Sequence, residues 1–231
     1  MTVGPSIYWY LTRASGAVAL VLLTASVVIG IAAIARLRAP GVPRFVVDGI
    51  HRTASLLAVV FLGVHIITAV LDSFVSISLV NAVIPFTGSY RPLWLGLGAV
   101  AFDLLLAVAI TSLIRDRMSQ FTWRAVHWLA YVAWPVAVVH GFGTGSDVRQ
   151  TWLEVINVGC ILAVLAAVAG RAMIGWPHNI RIRIGALATA AVFAAGLVVW
   201  LPGGPLGKGW ARRAGTPPSA LSHGASRGGH A

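Results

Sequence analysis

Apolar runs of about 20 residues recur six times along this chain, and each is long enough to cross a bilayer as a helix. They fall at residues 8–35, 45–72, 93–114, 123–143, 152–170 and 184–201. The fold class expected is therefore all-α, a six-helix transmembrane bundle filling residues 1–201. Composition agrees: 58% of residues are hydrophobic, 10% are charged, and the mean hydropathy is +0.86. A soluble domain carries roughly a quarter charged residues. The N-terminus MTVGPSIYWYLTR has neither a basic leader nor an A-x-A site before its apolar run, so it reads as the first span. Residues 202–231 are rich in Gly, Pro, Ser and Arg and are expected to form a disordered polar tail.

The formal charge of +11 does not point to nucleic acid, because the arginines sit in short loops and at the ends of apolar runs. Arg36, Arg38, Arg44, Arg115, Arg117, Arg124, Arg171, Arg181 and Arg183 cluster in the first, third and fifth connections; Arg91 and Arg149 alone occupy the second and fourth. The positive-inside rule then puts the odd-numbered connections in the cytoplasm and both termini outside a plasma membrane, with Lys208, Arg212 and Arg213 of the tail dissenting. The single cysteine, Cys160, lies in an apolar run and has no partner for an internal disulfide.

Two spans carry paired histidines. GIHRTASLLAVVFLGVHIITAVLD holds His51 and His65 with thirteen residues between them; WRAVHWLAYVAWPVAVVHGFG holds His127 and His140 with twelve between. An imidazole inside a bilayer is costly unless it is paired or ligating. The two spans run in the same direction, so His51 shares a depth with His127 and His65 with His140, the two levels lying about 20 Å apart. Two haems stacked in the histidine core 45–143, each clamped between two imidazoles, suit this layout. Zinc and copper sites want three or four ligands together. Imidazoles hydrogen-bonded across helices are the plainer alternative for any one histidine.

The helical phase separates the two spans. Fourteen steps of about 100° return to within about 40° of one face, which suits His51 and His65. Thirteen steps fall about 140° short, so His127 and His140 need a re-phased helix, and Pro135 between them is expected to kink it or open a π-type bulge.

HRTASLLAVVFLGVH and HWLAYVAWPVAVVH resemble the ferric reductase-like transmembrane domain, the superfamily of NADPH oxidases, ferric-chelate reductases and the haem-bearing membrane partner of bacterial methionine sulfoxide reductases. The resemblance spans about residues 13–143, and YLTRASG and SYRPLWLGLG look like actinobacterial members. It implies two b-type haems, with His51, His65, His127 and His140 as iron ligands, passing electrons across the membrane. Oxidases and ferric reductases of that superfamily continue into a flavin and NADPH domain, whereas no G-x-G-x-x-G signature occurs here. The expected partner is thus a flavoprotein, an iron–sulfur protein, a periplasmic reductase, a quinol or a diffusible flavin.

Haem propionates want cationic partners. Arg52 and Arg124 beside the first histidines, and Arg13, Arg91 and Arg149 towards the second, are the candidates, although arginine at a helix end also serves topology or snorkels. Asp103, near mid-depth of the third span, supports a competing reading as a proton or ion relay. A third reading is a membrane anchor for a soluble redox enzyme. Residues 73–92 are broken by Pro85, Gly88 and Pro92 and are expected to form a lid or a short interfacial helix.

Overall fold

The computed structural model describes residues 6–34, 43–73, 75, 77–145, 150–174 and 178–218. Arg36, Arg38, Arg149, His223 and His230 lie outside the described residues. Six helices are long and apolar enough to cross a membrane: α1 (Ile7–Ile34), α2 (Arg44–Leu71), α4 (Pro92–Leu113), α5 and α6 together (Gln120–His127 and Leu129–Thr144), α7 (Thr151–Met173) and α8 (Ile180–Gly203). Two short α-helices, α3 (Leu79–Val83) and α9 (Trp210–Arg213), and a 3₁₀ turn at Arg115–Arg117 complete the set, and the described residues contain no strand. Much of the large apolar surface faces outward, Val60, Ile67, Phe121 and Val198 among it, as lipid rather than water requires.

Helix α1 packs closely and antiparallel on α2, and α4 packs on the α6 half of the fourth span. Small hydroxyls stitch the first pair: Ser6 Oγ donates to Asp72 Oδ1 (2.9 Å), Thr12 Oγ1 to Thr68 Oγ1 (3.0 Å), and Ser26 Oγ lies 2.6 Å from Ser55 Oγ. Such hydroxyls pair within the bundle because lipid offers them no partner. A core of Leu23, Val27, Ile31, Trp134, Val138, Phe142, Val164 and Leu197 joins α1, α6, α7 and α8. Trp134 buries its polar edge by donating from Nε1 to Thr24 Oγ1 at 2.9 Å. By contrast, α2 and α6 are not among the closely packed pairs. The space between them is lined by Leu62, His65 and Ile66 of α2 and by Ala137, His140 and Gly141 of α6.

The fourth span differs from expectation. Its break falls at Trp128, and the helix runs on through Pro135. Tyr131 N–H donates to Trp128 O at 3.0 Å, a tightened i to i+3 turn. Tyr131 is also the residue whose carbonyl an N–H at position 135 would have bonded. The proline's effect thus surfaces one turn earlier in the chain than its ring. A 3₁₀ turn advances about 20° more per residue than an α turn, in the sense a helix falling short of full phase needs.

The connection after α2 forms the expected short helix, α3, started by a capping box between Ser78 and Asn81. After Gly203 the described residues run to 218 and include α9. Trp210 of α9 lies 5.1 Å from Trp94 and 6.0 Å from Trp200, ring centre to ring centre, and donates from Nε1 to Gly143 O at 3.1 Å. A large aromatic with one polar edge finds both kinds of partner in the gap between α4, α6 and α8.

Candidate haem site

The histidines meet in two pairs. His51 and His127 have ring centres 6.2 Å apart with planes at 67°; His65 and His140 are 6.4 Å apart at 86°. Imidazoles in direct contact through a hydrogen bond would be closer. A metal–imidazole bond is about 2.0–2.1 Å, and a ring nitrogen lies about 1.1 Å from its ring centre, so two imidazoles on opposite sides of one iron have centres about 6.3 Å apart. Both pairs match that figure.

Three of the four rings are oriented by the backbone of a neighbouring helix. His65 Nδ1 bonds Thr12 O at 2.8 Å, His140 Nδ1 bonds Trp94 O at 2.8 Å, and His51 Nδ1 bonds Ser26 O at 3.1 Å. A carbonyl only accepts, so Nδ1 carries the proton and Nε2 keeps a lone pair on the far side of the ring. This is the arrangement that prepares an imidazole to ligate a metal and raises its basicity.

Each carbonyl lies four residues before a glycine: Thr12 before Gly16, Ser26 before Gly30, Trp94 before Gly98. The glycines make room for the rings. A Cβ on Gly16 would sit 2.8 Å from His65 Nδ1, one on Gly98 would collide with the His140 ring, and one on Gly30 would touch His51 Cε1 at 3.5 Å. The fourteen-residue spacing of Gly16 and Gly30 repeats that of His51 and His65, and this was the signal available in the sequence. Gly98 and the Trp94 carbonyl have no such repeat and were missed. His127 is the exception: its Nδ1 is buried without a hydrogen-bond partner among the described residues, and its ring is stacked on Trp123 instead (5.0 Å, 27°).

Beside the second pair lies a cavity of about 330 Å³, lined by His65, His140, Arg13, Phe102 and Leu105 among others and roofed by Ile77, Asn81 and Tyr90 of the α2–α4 connection. Among the described residues no three His, Cys, Asp or Glu side chains cluster as for a multi-ligand metal site; the histidines come as pairs, the donor set of a bis-histidine haem. Asp103 is half-buried on α4 and is not among the cavity's lining residues.

The arginines fall into two classes. Arg52 and Arg124 are exposed beside the His51/His127 level, on α2 and α5. Arg91 is buried and bonded to groups of the protein itself. It is only 3% exposed and left-handed (φ 41°). Its Nη1 donates to Gly143 O (3.3 Å) and Thr144 O (3.0 Å), and its Nε donates to Thr216 Oγ1 (2.9 Å). Burial pulls its pKa down, and Tyr90 opposes that effect. The guanidinium thus satisfies the orphan carbonyls that end α6, where a cation also complements the helix dipole.

The family model described as "Ferric reductase like transmembrane component" matches residues 15–138, more than half of the chain. The chain belongs to the ferric reductase-like transmembrane family. Its place there makes it a multi-pass membrane protein of redox chemistry and electron transfer. The matched segment of this ferric reductase-like chain contains His51, His65 and His127 and stops two residues short of His140. No curated protein and no solved structure matches the chain.

Proposed function

We propose that this chain is a di-haem b-type membrane cytochrome that carries electrons from a donor at the inner face to an acceptor at the outer face. His51 and His127 would hold one haem and His65 and His140 the other. The observation that carries this reading is the pair of ring separations, 6.2 and 6.4 Å, each matched to one iron between two imidazoles. A bound haem supplies a one-electron Fe(III)/Fe(II) couple. The protein's part is to orient four Nε2 lone pairs, to hold three of them through backbone carbonyls, and to keep the second level dry behind the roof of residues 77–90. Arg52 and Arg124 are assigned to propionates at the first level, and Arg13, which lines the cavity, to those at the second. Arg91 acts through α6, by fixing the turn that follows His140.

The chain would sit in a plasma membrane of bacterial type, the arginine-rich connections inside and both termini outside. The donor at the inner face would be a flavoprotein, an iron–sulfur protein or a quinol, and the outer acceptor ferric iron, oxygen or a periplasmic reductase.

Purified protein should show a reduced-minus-oxidised spectrum of b type and two haems per chain by pyridine haemochrome. His65→Ala should reduce this to one. A colourless protein, or one whose haem content ignores that substitution, rejects the reading.

A further inference from the structure

The four histidines are not equally held. His51, His65 and His140 sit inside long helices, each with Nδ1 bonded to a neighbouring helix's carbonyl. His127 is the last residue of the eight-residue α5, directly before the break at Trp128. Its buried Nδ1 finds no partner among the described residues. Its flanking residues Arg124, Ala125 and Trp128 are exposed. What steadies the ring is the stack on Trp123, whose own Nε1 is likewise buried without a hydrogen-bond partner.

The corresponding stretch of α4 explains the difference. Fourteen residues beyond Trp94 and Gly98, the spacing that repeats the notch along α1, stand Val108 and Ser112. A serine Cβ replaces the glycine gap there. The Val108 carbonyl already accepts from Thr111 Oγ1 at 3.2 Å. No fourth notch is formed.

We propose that His127 is the exchangeable ligand of the four, so that a neutral diatomic gas can take its place on a haem iron at the His51/His127 level. This rests on the two-haem reading above. The exchange breaks one iron–Nε2 bond and forms one iron–ligand bond on ferrous iron, with no change of oxidation state; the freed imidazole swings out on the hinge at Trp128. Loss of such an orienting partner typically costs about 10–100-fold in metal affinity, which makes the unpartnered His127 the weakest-held of the four.

Carbon monoxide is the probe. The full-length, haem-loaded protein is first shown to hold two haems, then reduced with dithionite and exposed to the gas. Half of the haem should form the carbonyl complex and half should stay unreactive. Trp123→Leu, which removes the stack, should speed carbonyl formation by about 10-fold or more. His127→Ala should retain two haems, one of them now five-coordinate and high-spin, whereas His51→Ala should retain one. A protein with two haems and no carbonyl complex overturns the proposal and leaves the cytochrome reading intact, whereas a protein without haem fails the cytochrome reading itself. Equal haem loss in His51→Ala and His127→Ala also overturns it. Should a variant fail to fold, the carbonyl result on the unaltered chain decides the matter.

Discussion

Among single residues, the glycines opposite the histidines matter as much as the histidines themselves. Gly16 and Gly98 leave no room for a methyl group, since either Cβ would run into the ring of His65 or His140. Gly16→Ala or Gly98→Ala should therefore push His65 or His140 off its carbonyl and drop the haem content from two to one. The matching control is Ser26→Ala. Ser26 bonds His51 chiefly through its backbone carbonyl at 3.1 Å, its hydroxyl lying at 3.4 Å. That substitution keeps the carbonyl, should keep both haems, and should cost only about 0.5–1.5 kcal/mol of stability through the lost hydroxyl bond to Ser55. Haem stoichiometry and a thermal melt on the same samples separate the two cases. The histidines were legible in sequence because buried imidazoles at matched spacing have few other uses. The glycine notches were legible only along α1, where two of them repeat. A carbonyl acceptor leaves no trace in residue type, so Thr12, Ser26 and Trp94 could be found only once the helices were placed.

The fourth span, with its two histidines, carries its irregular turn one turn before its proline. His127 and His140 are thirteen steps apart, which on an ideal helix would turn them away from each other by about 140°. The turn at 128–131 supplies part of the difference, about 60° over three residues, and it ends at Tyr131, whose carbonyl Pro135 leaves without its N–H donor. Pro135→Ala would supply the missing N–H, draw Tyr131 back into a regular ladder and swing α5 round its axis. His127 should then leave His51, so that both haems remain but the one at that level becomes five-coordinate and high-spin, while the one between His65 and His140 stays low-spin. Unchanged helical circular dichroism with half of the haem high-spin is the expected result; two low-spin haems would mean that the tight turn stands without the proline. Sequence phase arithmetic was sound in demanding a correction between the two histidines. It placed the correction at the proline ring because the ring is visible in sequence, whereas the strain it creates is relieved a turn away.

Across the molecule as a whole, the two levels are supported by different parts of the chain. The His51/His127 level rests on α1, α2 and a short α5 that ends beside it. The His65/His140 level is backed by contacts that reach past Gly203: Trp94, whose carbonyl holds His140, lies 5.1 Å from both Trp200 and Trp210. Arg91 ties Gly143, Thr144 and Thr216 together, with its own N–H on Gly215 O at 3.0 Å. Composition hid this, because a Gly- and Pro-rich segment gains its order from partners elsewhere rather than from a core of its own. Stopping the chain after Gly203 would remove Trp210 and two of Arg91's partners, leaving buried polar groups unsatisfied at about 1–3 kcal/mol each. The loss should be local. In a His51→Ala background, which isolates the second level, truncation should lower the temperature at which haem is released. In a His65→Ala background, which isolates the first, the release temperature should stay where it was. An equal drop in both would mean that the tail stabilises the bundle generally, and that its contacts with Trp94 and Arg91 carry no special weight for the site they adjoin.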